Sequence, residues 1–218
     1  MEPRYHSQIT RDALGAHFEE DALRQVIRAN LAQDSFASLF GVAPHHHVDD
    51  DQIQEAAAYV EEQHAIIVSL ASDPAQAAAQ RAALGRLVHA VQDFYSHSNY
   101  VDLWLAKQSR SAGQADIPPE QIDPLDAEIL EHPGLRTGHY VPVLGLLYLV
   151  PVVGRIVARL HMPPDSHEAM NLDSPARGPR FPYALQAALK RSLHEVERAA
   201  AAVLEAGGEE ALQRFYRG

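Results

Sequence analysis

The sequence contains no cysteine among its 218 residues. That absence excludes thiolate zinc sites, iron–sulfur clusters and thiol nucleophiles together. Basic residues are also few, since 18 lysines and arginines stand against 29 aspartates and glutamates, giving a formal net charge of −11. This charge disfavours a protein that holds nucleic acid on a basic surface, and it disfavours docking on anionic lipid by charge alone.

Several familiar functional motifs are absent from the sequence. We find no Gly-x-Ser-x-Gly nucleophile elbow, no His-Glu-x-x-His zinc motif and no Gly-x4-Gly-Lys phosphate loop. Aromatic residues make up 7% of the chain, with a single tryptophan, which leaves little for stacking on nucleic-acid bases. No apolar stretch typical of a signal peptide follows Met1, and the sequence alone does not choose a location for the protein.

Histidine, by contrast, is plentiful, with 13 residues, and it is the commonest metal ligand in proteins. Apolar positions recur at helical spacing along most of the chain, as at Ile53, Ala57, Val60 and Ile67. No segment alternates like a half-buried strand, and the chain is long enough to bury a core without disulfides. The pattern predicts an all-α fold, a helical bundle in which residues 1–218 form a single domain.

One apolar stretch, between residues 139 and 161, interrupts this pattern. Residues Tyr140 to Gly154 carry no charge, but prolines and glycines interrupt this run. Two arginines, Arg155 and Arg159, lie in the remaining part of the stretch. The uncharged run is short for a transmembrane helix of roughly 20 residues. Three interpretations are open: a buried hairpin of the core, an apolar lid or membrane-contacting loop beside a lipid site, and a transmembrane helix.

The strongest functional signal is the spacing of His89, Asp93 and His97. At intervals of four residues, the two imidazoles and the carboxylate lie on one face of a helix. Imidazole suits zinc, and a carboxylate can bridge two ions, so this face predicts a metal site. The alternative is a polar stripe exposed to solvent, but apolar neighbours such as Leu87 and Val91 disfavour it, because buried polar groups need partners.

Other residues are candidates to complete such a site. His64 lies on the apolar face of the preceding helix, as either a metal ligand or a hydrogen-bonded core histidine. Asp49 or Asp50, just before that helix, could orient or deprotonate a water molecule. His6 is either a ligand or part of the surface, whereas the run of residues 45–47, three histidines, is expected to be mostly loop surface.

The order of these residues resembles the zinc-dependent phospholipase C and single-strand nuclease superfamily. Residues 83–100, ALGRLVHAVQDFYSHSNY, are most similar to its heterokaryon-incompatibility C branch, and residues 167–175, HEAMNLDSP, resemble a later motif of that branch. The resemblance covers about residues 5–205. It implies an all-α fold whose central cleft holds three zinc ions and hydrolyses phosphodiesters.

The resemblance also implies which residues hold the metal. Asp93 corresponds to the carboxylate that the ions share. Asn171 stands where the superfamily usually has a last carboxylate, so that carboxylate is either missing or supplied by Asp173. Asp49 and Asp93 are then the candidate catalytic residues. The implied ligands are Asp49, His64 and His89 for the first zinc, His97 and His167 for the second, and His6 for the third, with Asp93 shared and Asp173 completing the set.

We therefore expect a phosphodiesterase of the phospholipase C type that uses two or three Zn²⁺ ions. The ions would neutralise the phosphoryl oxygens and acidify the attacking water. The expected substrate is a phospholipid or a small phosphodiester, with peripheral membrane contact, because the apolar stretch favours lipid and the net charge disfavours nucleic acid. The alternatives are a single-strand nuclease of the same fold and a non-catalytic, zinc-stabilised interaction or toxin-like protein. No oligomeric state is predicted.

Overall fold

Helices form the regular structure of the protein in this computed structural model, which describes residues 1–34, 44–112, 117–139 and 165–217. No strand occurs within those ranges, so the predicted all-α fold is confirmed. The helices are α1 (Pro3–Leu14), α2 (Glu20–Leu31), α3 (Ile53–Ser69), α4 (Ala77–His97), α5 (Tyr100–Ala112), α6 (Ala127–Leu130), α7 (His167–Met170) and α8 (Phe181–Tyr216).

Helix α4 is the central element and packs against α2, α3 and α8. Its side chains Leu84, Leu87 and Val88 are fully buried, which explains the apolar character of most of its circumference. Burial of one such side chain stabilises the fold by roughly 1.5–3 kcal/mol, so this helix anchors the main core. A polar face on the same helix must then find its partners inside the protein.

Local sequence sets the ends of the long helices. The Asp73 side chain accepts a hydrogen bond from the Ala75 backbone N–H at 2.9 Å, and a 3₁₀ turn beginning at Pro74 leads into α4. In α8 the chain leaves helical geometry at Gly208, where φ is 74°, a backbone conformation that glycine adopts readily. The final turns pack back on the core through Phe215.

The apolar stretch from Tyr140 to Leu160 lies outside the described residues. Its interpretation as core, lid or membrane contact therefore stays a prediction, as does the assignment of residues 1–218 to one domain. Within the described residues, no helix combines the length and the apolar character needed to cross a membrane.

Candidate metal centre

The inner face of α4 presents three of the predicted ligands. His89, Asp93 and His97 lie on one side of the helix, one turn apart, and their exposed fractions are only 0%, 0% and 4%. The alternative of a polar stripe exposed to solvent is therefore wrong. Three buried polar groups in an apolar helix need partners from elsewhere in the chain.

The Asp93 carboxylate is the centre of those contacts. Its Oδ1 lies 2.6 Å from the Met1 amino nitrogen and 3.2 Å from His6 Nε2, whereas its Oδ2 lies 3.0 Å from His89 Nε2 and 3.1 Å from His47 Nδ1. Burial alone would raise the pKa of Asp93, but the positive charges of the Met1 ammonium and of His97 hold that pKa well below its usual range. Asp93 is thus ionised with nitrogens facing both oxygens, an arrangement that suits a carboxylate shared by two cations.

Side-chain amides orient two of these imidazoles from behind. His6 Nδ1 lies 2.6 Å from Gln92 Oε1, and His89 Nδ1 lies 3.2 Å from Asn30 Oδ1. Both amides are fixed in turn, because Asn30 Nδ2 and Gln92 Nε2 each donate to Thr10 Oγ1 at 3.1 Å. An amide oxygen can only accept, so each Nδ1 donates, and a neutral ring then directs its Nε2 lone pair towards the central carboxylate.

The charge state of these two rings makes the arrangement favourable for a cation. Burial is the main cause that lowers the pKa of His6, and it lowers the pKa of His89 to about 4, so both rings are neutral at neutral pH. His6 Nε2 is buried and has no hydrogen-bond partner among the described residues. A metal ion between the lone pairs and the carboxylate would satisfy all of these groups, and the residues present therefore fit one.

A first ligand group consists of His6, Asp34, His89 and Asp93, each of which offers one atom within 4.8 Å of the others. Asp34 contributes from the turn after α2, with its Oδ1 3.7 Å from His89 Nε2. Imidazole nitrogens and carboxylate oxygens in this number are a donor set that zinc accepts.

A second ligand group consists of Asp49, His97 and His167, again within 4.8 Å. Asp49 Oδ1 lies 2.8 Å from His167 Nδ1 and 3.6 Å from His97 Nδ1, and Asp173 Oδ1 lies 3.1 Å from His97 Nε2. Burial alone would lower the pKa of His97, but Asp93 and Asp49 raise it to about 9. The raised value reflects an excess of negative charge that a bound cation would neutralise.

A turn of unusual backbone geometry carries His47 and Asp49 into the site. Val48, Asp50 and Asp51 have φ values of 56°, 58° and 55°, the left-handed region that side chains with a Cβ rarely adopt. Each such residue costs about 1–3 kcal/mol, so tertiary contacts must hold the turn.

Those contacts come from residues 137 and 138. The Asp51 N–H donates to Thr137 Oγ1 at 2.9 Å, and the Thr137 N–H donates to Asp51 Oδ1 at 2.7 Å. The Asp50 N–H donates to the Gly138 carbonyl, and the Gly138 N–H donates to the carbonyl of His97, at 3.0 and 3.1 Å. The turn is therefore fastened to the end of α4, next to the ligands that it joins.

Residues 5–130 match the model of the VWA7 N-terminal domain family, which covers more than half of the chain. The chain belongs to this family. No curated protein and no solved structure matches it. The range matched to the VWA7 N-terminal domain contains His6, Asp49 and the ligands of α4, whereas His167 and Asp173 lie beyond it.

Membership of the VWA7 N-terminal domain family corrects the expected identity. The assignment to the zinc-dependent phospholipase C and single-strand nuclease superfamily is wrong, because the family that matches is a different one. The motif of α4 that carried the resemblance lies inside the matched range. The ligand roles that the resemblance implied lose that support, and the two ligand groups rest on the geometry alone.

Two predicted ligands, His64 and Asp173, belong to neither group. Asp173 lies beside the second group, with its Oδ1 3.1 Å from His97 Nε2, whereas His64 contacts a different part of the protein. His64 Nε2 lies 2.7 Å from Glu195 Oε2 on α8, and Arg191 Nε lies 2.6 Å from the other oxygen of that carboxylate. His64 is thus the hydrogen-bonded core histidine of the alternative interpretation. Its place on an apolar helix face was correctly predicted, but the partner that it meets there is a buried glutamate.

Two site residues were missed by the sequence analysis. His47 belongs to the three-histidine run that was expected to be loop surface, yet its side chain is only 12% exposed and faces Asp93. Asp34 follows the end of α2 in a turn, where no periodicity marks it. Of the two carboxylates expected before α3, Asp49 enters the second ligand group, whereas Asp50 Oδ1 lies 3.8 Å from His139 Nδ1.

Proposed function

We propose that the chain is a zinc-dependent phosphodiester hydrolase that acts on phospholipid, with the reaction of a phospholipase C. The observation that carries the proposal is the pair of neutral, buried imidazoles, His6 and His89, whose Nε2 atoms face the ionised carboxylate of Asp93. Such lone pairs are stabilised by a cation. The second ligand group, adjacent through His97, supports a second ion.

The donor set supports zinc among the common metals. The two groups offer imidazole and carboxylate only, which suits zinc better than calcium or magnesium, ions that prefer oxygen alone. When bound, a pair of zinc ions supplies charge neutralisation at a phosphoryl group and acidifies a water molecule. No serine or cysteine nucleophile is then required.

Asp49 is the residue best placed to orient the attacking water. Its Oδ1 is held by His167 Nδ1 at 2.8 Å, which fixes the carboxylate in one direction. Within the second ligand group, His167 is the most accessible member, since 17% of its side chain is exposed, against 8% for Asp49 and 5% for His97. A substrate can therefore approach this group from the side of His167. Asp93 holds the two groups together.

A lipid substrate is supported by an apolar cavity of about 430 Å³ beside the centre. Val48 lies on its wall, between the site residues His47 and Asp49 in the chain, so the cavity adjoins the turn that forms the second ligand group. The net charge of −11 opposes binding of a long polyanion. Further lining residues are Ile53, Ala57, Val60, Val91 and Phe94.

The test is an assay of zinc-loaded protein on phosphatidylcholine micelles and on single-stranded DNA and RNA, side by side. We expect release of phosphocholine by the wild type and its loss in Asp93→Asn. The matched control is His64→Gln, which changes a buried histidine outside the site and should keep activity. Faster cleavage of DNA or RNA would replace the proposal with a nuclease. No turnover by protein that holds zinc would replace it with a non-catalytic, zinc-stabilised protein.

A further inference from the structure

A second, polar cavity of about 680 Å³ lies between α5, α7 and the start of α8. Its volume is within the range of small-molecule sites. None of its lining residues belongs to either ligand group of the metal centre. The polar side chains that line it include Asn99, Asp102, Arg136, Asn171, Arg177 and Arg180.

Positive charge is concentrated around this cavity. Three of the 18 basic residues of an acidic chain, Arg136, Arg177 and Arg180, line it together with one carboxylate, Asp102. Arg180 Nε lies 2.7 Å from Asp102 Oδ1, and Arg177 Nη1 donates to the Glu168 carbonyl at 2.9 Å. Because a guanidinium has five N–H donors, most of these donors stay available to an anion.

One further feature favours an anion there. The Arg136 guanidinium makes no hydrogen bond or ion pair with the rest of the described chain, although Arg136 lines the cavity. An anion that enters the cavity would give this positive charge a partner.

Asn171 indicates that the ligand also carries a hydrogen-bond donor. It is only 4% exposed, it lines the cavity, and its Oδ1 is buried with no hydrogen-bond partner among the described residues. An acceptor left unpaired in this way is unfavourable, and a ligand that brings a hydroxyl or amino donor would satisfy it. The complementary ligand therefore carries an anion for the arginines and a neighbouring donor for Asn171.

We propose that this cavity binds a phosphate group that has a hydroxyl group beside it, as in a polyol phosphate or in the headgroup of a phosphate-bearing lipid. Arginine suits phosphate because its planar group donates two parallel hydrogen bonds to two oxygens. The site is separate from the metal centre and does not depend on the hydrolase proposal.

The test is calorimetric titration of the wild type with glycerol 3-phosphate and inorganic phosphate, and sedimentation with vesicles that contain phosphatidylinositol 4-phosphate, whose phosphate has free hydroxyl groups beside it. Arg136→Gln breaks no contact within the described chain, and it should weaken binding by roughly tenfold or more, as expected for loss of a charged hydrogen bond. Arg177→Gln combined with Arg180→Gln should abolish binding. Asn171→Leu should weaken the binding of glycerol 3-phosphate more than the binding of inorganic phosphate, because Asn171 pairs with the hydroxyl group of the ligand. The control is Arg24→Gln, an exposed arginine of α2, which should bind as the wild type does.

The zinc content of every variant is measured together with binding, since phosphate could also reach the metal centre. Unchanged zinc with lost phosphate binding assigns the anion to the arginine-lined cavity. Binding of the soluble phosphates identifies a free ligand, whereas binding of vesicles alone identifies a lipid headgroup. The proposal is overturned if the wild type binds none of the three probes, or if the three arginine substitutions leave binding unchanged.

Discussion

Two neutral imidazoles, His6 and His89, face one ionised carboxylate, Asp93, inside the protein. In each ring, Nδ1 carries the proton and donates it to an amide oxygen. The Nε2 atoms therefore cannot donate to the carboxylate unless the ring changes its tautomer or gains a proton. The Met1 ammonium already pairs with Asp93 Oδ1 at 2.6 Å, but the buried Nε2 lone pairs of the two rings still face the carboxylate, which is costly unless a cation lies between them. At the scale of the residue, this is the physical reason to expect metal at the site.

Substitutions of the two buried histidines His89 and His64 should affect zinc binding differently. His89→Gln should raise the dissociation constant for zinc by roughly 100-fold or more, because even residues that only orient a ligand contribute 10–100-fold. His64→Gln should leave it within a few-fold of the wild type, since that side chain contacts Glu195 instead. Competition with a chromophoric zinc chelator measures both. Equal losses in the two variants would contradict the assignment.

The same pair of residues shows what the sequence could predict. Periodicity placed both His64 and His89 on inward faces of helices, and burial of both is confirmed. It could not separate a ligand from a core histidine, because the partner of His64 lies 131 residues away in the chain. His47 was missed for a related reason, since a loop residue has no period that reveals which way it points.

At the scale of the element, α2 and α4 approach each other so closely that only glycine fits between them. A Cβ atom on Gly85 would lie 2.5 Å from the Val26 carbonyl oxygen, 2.6 Å from Ala29 Cβ and 2.9 Å from the Asn30 backbone nitrogen. Since Asn30 also orients His89, the spacing of these two helices and the geometry of the metal centre are coupled.

Gly85→Ala should therefore affect both stability and metal binding. We expect a loss of about 1–3 kcal/mol in the free energy of unfolding, the usual cost of overpacking, together with weaker zinc binding through Asn30. Urea denaturation with and without zinc measures the two effects. Unchanged stability would mean that the helices do not pack this closely, and unchanged zinc affinity would mean that Asn30 is not coupled to the site.

The contact between α3 and α8 predicts a pH dependence. Burial alone would raise the pKa of Glu195, but the hydrogen bond from His64 and the charge of Arg191 lower it from 4.5 to about 2. A carboxylate whose pKa is lower in the folded state stabilises the fold above its ordinary pKa, and this contribution is lost as the pH falls towards 2.

Glu195→Gln should accordingly reduce the free energy of unfolding by roughly 3 kcal/mol at neutral pH, and by progressively less between pH 4.5 and 2. The measurement is urea denaturation of both proteins across that range, with a chelator present to remove any contribution from metal. A difference that stays constant down to pH 2 would show that Glu195 is not the titrating group.

Helices were the predictable elements and the turns were not. The apolar period of Ile53, Ala57, Val60 and Ile67 predicted a helix, and helix α3 at Ile53–Ser69 confirms it. The left-handed turn at residues 48–51 contains no glycine, so the sequence does not indicate its backbone conformation. Its geometry depends on hydrogen bonds to Thr137 and Gly138, which are distant in the sequence. Local sequence therefore could not predict how Asp49 reaches the site.

At the scale of the whole molecule, the candidate metal centre joins parts of the chain that are far apart in sequence. Met1 and His6 come from the amino end, Asp93 from the central helix, and His167 and Asp173 from beyond the range that matches the VWA7 N-terminal domain family. A cation bound there would link these segments, and metal binding would contribute directly to folding stability.

The metal content of the purified protein decides whether the two ligand groups hold zinc. The protein is prepared in zinc-supplemented medium without chelators, desalted, and its bound metals are quantified by elemental analysis. The two ligand groups predict about two equivalents of zinc per chain. The Asp93→Asn variant should hold less, because the Asp93 carboxylate belongs to the first group and also lies near His97 of the second. Less than one equivalent in the wild type, not restored by added zinc, would contradict the account.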